Sequence, residues 1–295
     1  MPELPEVETV RRGLAPVMEG MRVARLEQRR ENLRFPFPAN FAARLEGRRV
    51  INLGRRAKYL MATIEGGDTL VMHLGMSGRF AVTPPVTGHA ASIGNYVHEA
   101  GHDPKHDHVT FYLSSGATIT YNDARRFGFM LLIPTAEVYA HALFANIGIE
   151  PLDGHLTPEH LAVLAHGRKT DLKAFLLDQR TIAGLGNIYV AEVLHRAELD
   201  PRRPASRLAL RSGGPSPHAH RLVPEIKAVL EAAIQAGGST LRDYRQSDGA
   251  EGQFQRSFAV YGRAGEPCER SGCGGKIKRI TQAGRSTFYC PKCQK

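Results

Sequence analysis

Val109-Thr110-Phe111-Tyr112-Leu113, Ser114-Ser115-Gly116, then Thr118-Ile119-Thr120-Tyr121 reads as a strand, a tight turn and a second strand. β-Branched and aromatic residues suit a pleated, half-buried surface, and the serines and glycine between the runs supply turn chemistry. Working outward, 48–53, 58–64 and 69–74 have the same texture, with Gly66-Gly67-Asp68 as another turn. Several short strands at this spacing predict an antiparallel sandwich or barrel between about residues 22 and 133. Ahead of it, Val7, Val10, Leu14, Val17 and Met18 recur at helical spacing over 4–18, and Gly20 stops the run. After Pro134 the texture turns helical, with helices expected over 137–146, 158–166, 170–178, 188–197 and 218–236. The last two carry clear apolar stripes: Val190, Val193, Leu194 and Ala197, then Leu222, Ile226, Val229, Leu230 and Ala233. Residues 258–261 read as a strand leading into the C-terminal segment, and 83–105 as a long surface loop inserted in the sheet. That loop region holds His89, His98 and His102, with His106 just beyond; Gly101 and Pro104 argue against one helix presenting them to a metal.

The chain has 295 residues, enough for two domains with cores of their own. No apolar run reaches the roughly 20 residues a membrane-crossing helix needs. Its net charge is +10, and residues 263–295 alone carry eight Lys or Arg against two Glu. A basic segment of this kind is expected to face a polyanion. The pairs Arg11-Arg12, Arg29-Arg30, Arg48-Arg49, Arg55-Arg56 and Arg125-Arg126 extend that expectation to phosphate contact elsewhere.

All four cysteines lie near the end, as Cys268-x4-Cys273, sixteen residues, and Cys290-x2-Cys293. Paired short spacings predict one tetrahedral zinc, and four sulfur ligands leave no open position for catalysis, so its role is structural. The N-terminal residues show no charged-then-apolar signal pattern and the sequence has no other cysteine, so a reducing cytosol is expected rather than disulfides.

The start, Met1-Pro2-Glu3-Leu4-Pro5-Glu6, has two readings. Proline and acids are favoured at the first turn of any helix. Alternatively, once Met1 is removed, Pro2 presents a secondary amine. An α-amino group titrates near about 8, so part of it is nucleophilic at neutral pH. Such an amine can form an iminium with a sugar aldehyde carbon, as Schiff-base lysines do, with Glu3 placed to exchange protons at the same centre. Thr181-Ile182-Ala183-Gly184-Leu185-Gly186-Asn187 joins two helices, with Asn187 a natural N-cap. A helix start of this kind can hold a phosphate.

These motifs, with Arg56-Ala57-Lys58-Tyr59, His73-Leu74-Gly75-Met76-Ser77-Gly78, Lys105-His106-Asp107-His108, Arg125-Arg126-Phe127-Gly128, Gln246-Ser247-Asp248-Gly249, Val260-Tyr261-Gly262-Arg263 and Thr287-Phe288-Tyr289-Cys290, resemble the formamidopyrimidine-DNA glycosylase (Fpg) family. The matches run in family order over nearly the whole chain. The resemblance implies an α+β protein: an N-terminal β-sandwich domain with a catalytic helix (1–134), a hinge (135–152), a helix–two-turn–helix domain with a lesion-capping loop (153–257) and a zinc ribbon (258–295). It places DNA in a basic cleft. It implies a monomeric base excision repair enzyme that removes oxidised purines from duplex DNA and nicks the strand by β- and δ-elimination. The catalytic set it implies is Pro2 as nucleophile, Glu3 as acid/base, Lys58, and Arg285 as a phosphate ligand. The DNA-binding set is Glu6, His73, Met76, Arg125, Phe127, Lys173, Asn187 and Ser247, in which Met76, Arg125 and Phe127 fill the gap left by a flipped nucleotide. The metal set is Cys268, Cys273, Cys290 and Cys293. Three departures stand out: the first cysteine knuckle is two residues longer than the usual Cys-x2-Cys, Ala124 replaces a common proline, and the 83–105 insertion is long. Two alternatives remain: an endonuclease VIII-type enzyme preferring oxidised pyrimidines, and a zinc-ribbon DNA-binding protein without catalysis.

Overall fold

The computed structural model describes residues 2–85, 103–240 and 251–295. Two compact units form: Met1–Ala145 with Ala236–Gln255, and Asn146–Gln235 with Arg256–Lys295.

In the first unit, helix α1 (Leu4–Met18) is followed by β1 (Val23–Gln28), a short helix α2 (Phe41–Leu45), β2 (Val50–Arg56), β3 (Tyr59–Ile64), β4 (Asp68–His73), β5 (Arg79–Thr83), β6 (Asp107–Leu113), β7 (Thr118–Asn122) and β8 (Phe129–Pro134). They make two four-stranded antiparallel sheets, ordered β1-β6-β7-β5 and β2-β3-β4-β8. Inward residues of both sheets, including Phe111, Ile119 and Tyr121 from one and Leu53, Leu60 and Met72 from the other, form one core. Val7, Val10, Leu14 and Met18 of α1 pack into the same core. Fully burying each such side chain contributes about 1.5–3 kcal/mol. The fold is therefore the antiparallel β-sandwich of an α+β protein.

Three local expectations change. Lys58 does not open a strand: Arg56 pairs with Tyr59, so Ala57 and Lys58 are the two-residue tip of the β2–β3 hairpin, with Ala57 at φ 53°. The expected 137–146 helix is a 3-10 turn (Thr135–Glu137) followed by irregular turns. There the Leu143 N–H goes to Nδ1 of His141 (3.3 Å), a local side-chain bond that competes with the helical ladder. The expected 258–261 strand is also absent. The N–H groups of Ala259, Val260 and Tyr261 donate to the carboxylate of Glu192 at 2.8, 3.1 and 2.8 Å instead of to a neighbouring strand.

The second unit contains α3 (Pro158–Ala165), α4 (Leu172–Leu177), α5 (Asn187–Arg196), α6 (Pro217–Gln235) and a hairpin of β9 (Lys278–Gln282) and β10 (Arg285–Tyr289). Both expected apolar stripes, on α5 and α6, are buried. Among the described residues no helix is long and apolar enough to cross a membrane.

Candidate active site and DNA-binding surfaces

Helix α1 begins at Leu4, leaving Pro2 and Glu3 immediately ahead of its first turn. The Glu3 N–H donates to Oε2 of Glu6 at 2.8 Å, one half of a capping box. The other oxygen of Glu6 accepts from the N–H (2.8 Å) and hydroxyl (3.1 Å) of Ser239. Gly238, at φ 80°, lies so close that a Cβ there would sit 3.0 Å from the Glu6 side chain. Buried Glu6 thus fixes the backbone at Glu3 and the residues leading to 241–250. Ser247 lies in that segment, outside the described residues, as do His89, His98 and His102. Ser239 was not legible in the sequence, because its partner is 233 positions away.

His73 stacks on Phe129 (5.2 Å between centroids, 15° between planes) and accepts the Gly75 N–H at Nδ1 (3.1 Å). Burial first, then the nearby Lys58 and Arg34 charges, hold its pKa down to about 4. The folded protein therefore keeps His73 neutral while the unfolded chain protonates it below about 6.5. Stability from this group is complete above pH 6.5 and is lost as pH falls toward 4. The expected loss is about 3 kcal/mol. Urea unfolding across that window should show the slope, and His73→Phe should flatten it; identical slopes would refute the assignment.

Met76 and Phe127 occupy two loops joined by one buried carboxylate. Asp123 accepts the Ser77 hydroxyl (2.5 Å), the Tyr121 hydroxyl (3.2 Å) and the N–H groups of Gly128 (2.9 Å) and Arg125 (3.3 Å). Its own carbonyl accepts Nε2–H of His108 (2.9 Å). A Cβ at Gly75 would stand 2.4 Å from the Gly128 nitrogen, and one at Gly128 1.8 Å from the Tyr121 hydroxyl. Only glycine lets the two loops meet. The result is a rigid platform carrying half-buried Met76 and, 45% exposed, Phe127. That exposure sets Phe127 apart from the buried core. The Arg125 guanidinium lies 4.7 Å from the Phe127 ring centroid, a cation–π contact. Leu33, Arg34, Arg125, Arg126 and Phe127 line an open depression of about 550 Å³. Asp123 stands directly before the run singled out in the sequence, yet its role emerges only from the fold.

In the second unit Asn187 is the first residue of α5; Gly186, in extended conformation, is the N-cap. The Asn187 amide instead donates to the Ser286 carbonyl (3.1 Å) and lies 3.5 Å from the Tyr261 hydroxyl. Lys173 is wholly buried, its ammonium 2.8 Å from the same Ser286 carbonyl and 2.6 Å from the Thr287 hydroxyl. Residues on α4 and α5 therefore converge on β10 next to exposed Arg285.

The four cysteine sulfurs lie within 4.8 Å of one another, with Cys268–Cys293 at 3.9 Å and Cys273–Cys290 at 3.6 Å. A zinc with sulfurs at about 2.3 Å in a tetrahedron separates them by about 3.8 Å, so the set fits the ion. Gly275 completes the cradle: a Cβ there would stand 2.7 Å from the Cys290 sulfur. These thiolates would hold one structural zinc and leave it no reactive position. Nε2 of His195 lies 3.4 Å from the Cys268 sulfur, and burial holds this ring's pKa down to about 4.

The pieces correspond, in order, to known modules. Residues 1–130 match the Formamidopyrimidine-DNA glycosylase N-terminal domain, 147–245 the Formamidopyrimidine-DNA glycosylase H2TH domain, and 265–295 the zinc finger found in FPG and IleRS. The chain is 61% identical over 295 residues to formamidopyrimidine-DNA glycosylase of Beijerinckia indica, covering all of both chains. It is 60% identical over 294 residues to that of Methylobacterium radiotolerans, covering 100% of this chain and 99% of the relative. Its fold is similar to that of Lactococcus lactis Fpg in complex with abasic-site DNA (33% identity, TM-score 0.81, 99% of both chains). It is also similar to the MutM (Fpg) protein of Thermus thermophilus (38% identity, TM-score 0.80, 99% of this chain and 98% of that one). Three family modules in order, and 61% identity to a named relative over the full length, make this chain a member of the formamidopyrimidine-DNA glycosylase family.

Proposed function

We propose that Pro2, Glu3 and Lys58 carry out the chemistry of this enzyme, and that Met76, Arg125, Phe127, His73, Asn187 and Arg285 hold its DNA. The chain is a bifunctional DNA glycosylase and AP lyase of base excision repair, acting on oxidised purines in duplex DNA. It works in the cytoplasm on the nucleoid, as a monomer. The observation that carries the site assignment is the fixed start of α1, with Glu3 locked by Glu6 beside Pro2.

With Met1 removed, the Pro2 nitrogen attacks the anomeric carbon of the flipped nucleotide. The N-glycosidic bond breaks and the base leaves. As the sugar C1′–O4′ bond opens, Glu3 delivers a proton to the ring oxygen and an iminium forms. Loss of a C2′ proton then expels the 3′ phosphate, and a second elimination expels the 5′ phosphate. Lys58, at its hairpin tip, supplies positive charge near the reacting sugar and phosphate. Glu6 is a positioning residue, since both its oxygens hold backbone or side-chain donors within the protein. Lys173, wholly buried against β10, is assigned to shaping the phosphate site from behind rather than to touching DNA.

Borohydride tests this reading: it should trap the protein covalently on duplex DNA holding 8-oxoguanine opposite cytosine, with the adduct on Pro2. An adduct on Lys58 with Pro2 untouched would refute the nucleophile assignment. Faster processing of an oxidised thymine would move the chain to the endonuclease VIII type. The wedge and phosphate roles separate by salt. Phe127→Ala and Met76→Ala should slow lesion processing and leave thermal stability nearly unchanged, whereas Arg285→Ala should weaken binding to all duplexes and lower the salt slope by about one. A stability loss of about 3 kcal/mol or more in Phe127→Ala would instead mark a core residue.

A further inference from the structure

The longer first knuckle has a structural use. Of the four residues between Cys268 and Cys273, Arg270 turns its guanidinium onto the C-terminal end of α5. Nη2 donates to the carbonyls of His195 (2.7 Å) and Arg196 (3.3 Å), and Nη1 pairs with Glu198 (2.7 Å). The last carbonyls of a helix lack partners within it, and a cation there also meets the negative end of the helix dipole. The same stretch of α5 touches the metal site twice more. His195 places Nε2 3.4 Å from the Cys268 sulfur; a zinc-bound thiolate can only accept, so with metal present the ring would donate to it from Nε2. From the second knuckle, buried Gln294 accepts the Cys290 N–H (2.7 Å) and donates to the Leu199 carbonyl (2.9 Å) just past α5. At the other end of this ten-residue helix stands Asn187.

We propose that Arg270 and His195 form a latch by which zinc occupancy sets the seating of α5, and through it the affinity of the Asn187 end for a DNA phosphate. The zinc arm stands on the cysteine cluster alone; the DNA arm rests on Asn187 as a phosphate ligand. Both residues are positioning residues and touch neither substrate nor metal. When metal leaves, the knuckle carrying Arg270 loses its anchor and α5 loses its C-terminal cap. Coupling is reciprocal in free energy, so bound DNA must also raise the affinity for zinc.

The test uses the full-length zinc-loaded protein. Zinc release into a chromogenic chelator, without DNA, should be about tenfold faster in Arg270→Ala, the scale seen when outer partners of metal ligands are removed. Arg270→Lys keeps the charge but cannot span three acceptors, and should behave the same way. Affinity for a duplex with a stable abasic analogue should fall about fivefold, the lower end of ordinary coupling. Single-turnover cleavage at saturating DNA should stay unchanged. That duplex should raise the zinc affinity of the unaltered protein, and less so that of the variants. Unchanged zinc release in both Arg270 variants overturns the latch. Faster release with unaltered DNA affinity overturns the coupling. An Asn187→Ala protein with full affinity removes only the DNA arm. If Arg270→Ala does not fold, Arg270→Lys and Glu198→Gln carry the same measurements.

Discussion

Glu3→Gln is expected to lose excision of 8-oxoguanine by a factor of about 10²–10⁴, the usual contribution of a positioned acid or base. The same variant should still nick a duplex that already contains an abasic site, because an aldehyde sugar needs no departing base. The contrast follows from geometry. Gln is close in shape to Glu, its amide oxygen can still accept the Glu6 backbone N–H in the capping box, and the bond from the backbone N–H of residue 3 to Glu6 is untouched, so the substitution leaves its position intact. What it removes is the ability to move a proton at the sugar oxygen. Blocking Pro2 should act differently and abolish both activities together, since both pass through its nitrogen. Pro2→Gly should keep some trapping, because a primary amine still forms a Schiff base. Parallel single-turnover assays on the two duplexes decide the matter. Equal losses on both would assign Glu3 to holding the N-terminus rather than to proton transfer.

The residues themselves disclosed much of this. Apolar periodicity gave α1, α5 and α6, alternation gave most of the sandwich, and cysteine spacing gave the metal site. In each case the signal is local: the residues that cooperate lie within a few turns or one hairpin of each other. Where cooperation is long-range, the sequence was silent. Asp123 gathers Ser77 from 46 positions away, and Glu192 takes three N–H groups from 67–69 positions away, converting an apparent strand into an irregular segment. Neither side chain has a local pattern that marks it as a hub. Asn187 looked like a cap because its type favours that position, but the fold offered its amide the Ser286 carbonyl instead. The family resemblance put Lys173 among the DNA-binding residues, and its burial depends on where β10 lies. The roles of Pro2, Glu3 and Lys58 came from the family resemblance. Chemistry alone left Pro2-Glu3 divided between a helix start and a nucleophile.

Cys290→Ser should release the zinc, disorder the ribbon and abolish specific DNA binding. Cys290 is fully buried, its sulfur 3.6 Å from that of Cys273, within a cluster of Ala191, Val260, Ile277 and Phe288. That cluster is too small to stand without the ion, and in metal-dependent modules binding supplies folding free energy on the order of 10 kcal/mol. Burial works against the Cys290 thiolate, but the N–H groups of Cys293 and Lys292 together with the Cys273 and Cys293 thiols favour it and bring its pKa to about 7. Zinc binding displaces the thiol protons, so acid should weaken it. Serine removes the soft ligand while keeping nearly the same shape, so the loss reports coordination rather than packing. Metal analysis of freshly prepared protein should give one zinc per chain, and none held tightly by the variant. Because Asn187 and Lys173 both bond to Ser286 on β10, disorder of the ribbon would also dismantle the proposed phosphate site on α5. Binding should then fall for lesion-bearing and undamaged duplexes alike. A Cys290→Ser protein that lacks zinc yet binds an abasic duplex with undiminished affinity would show that the ribbon does not depend on the metal.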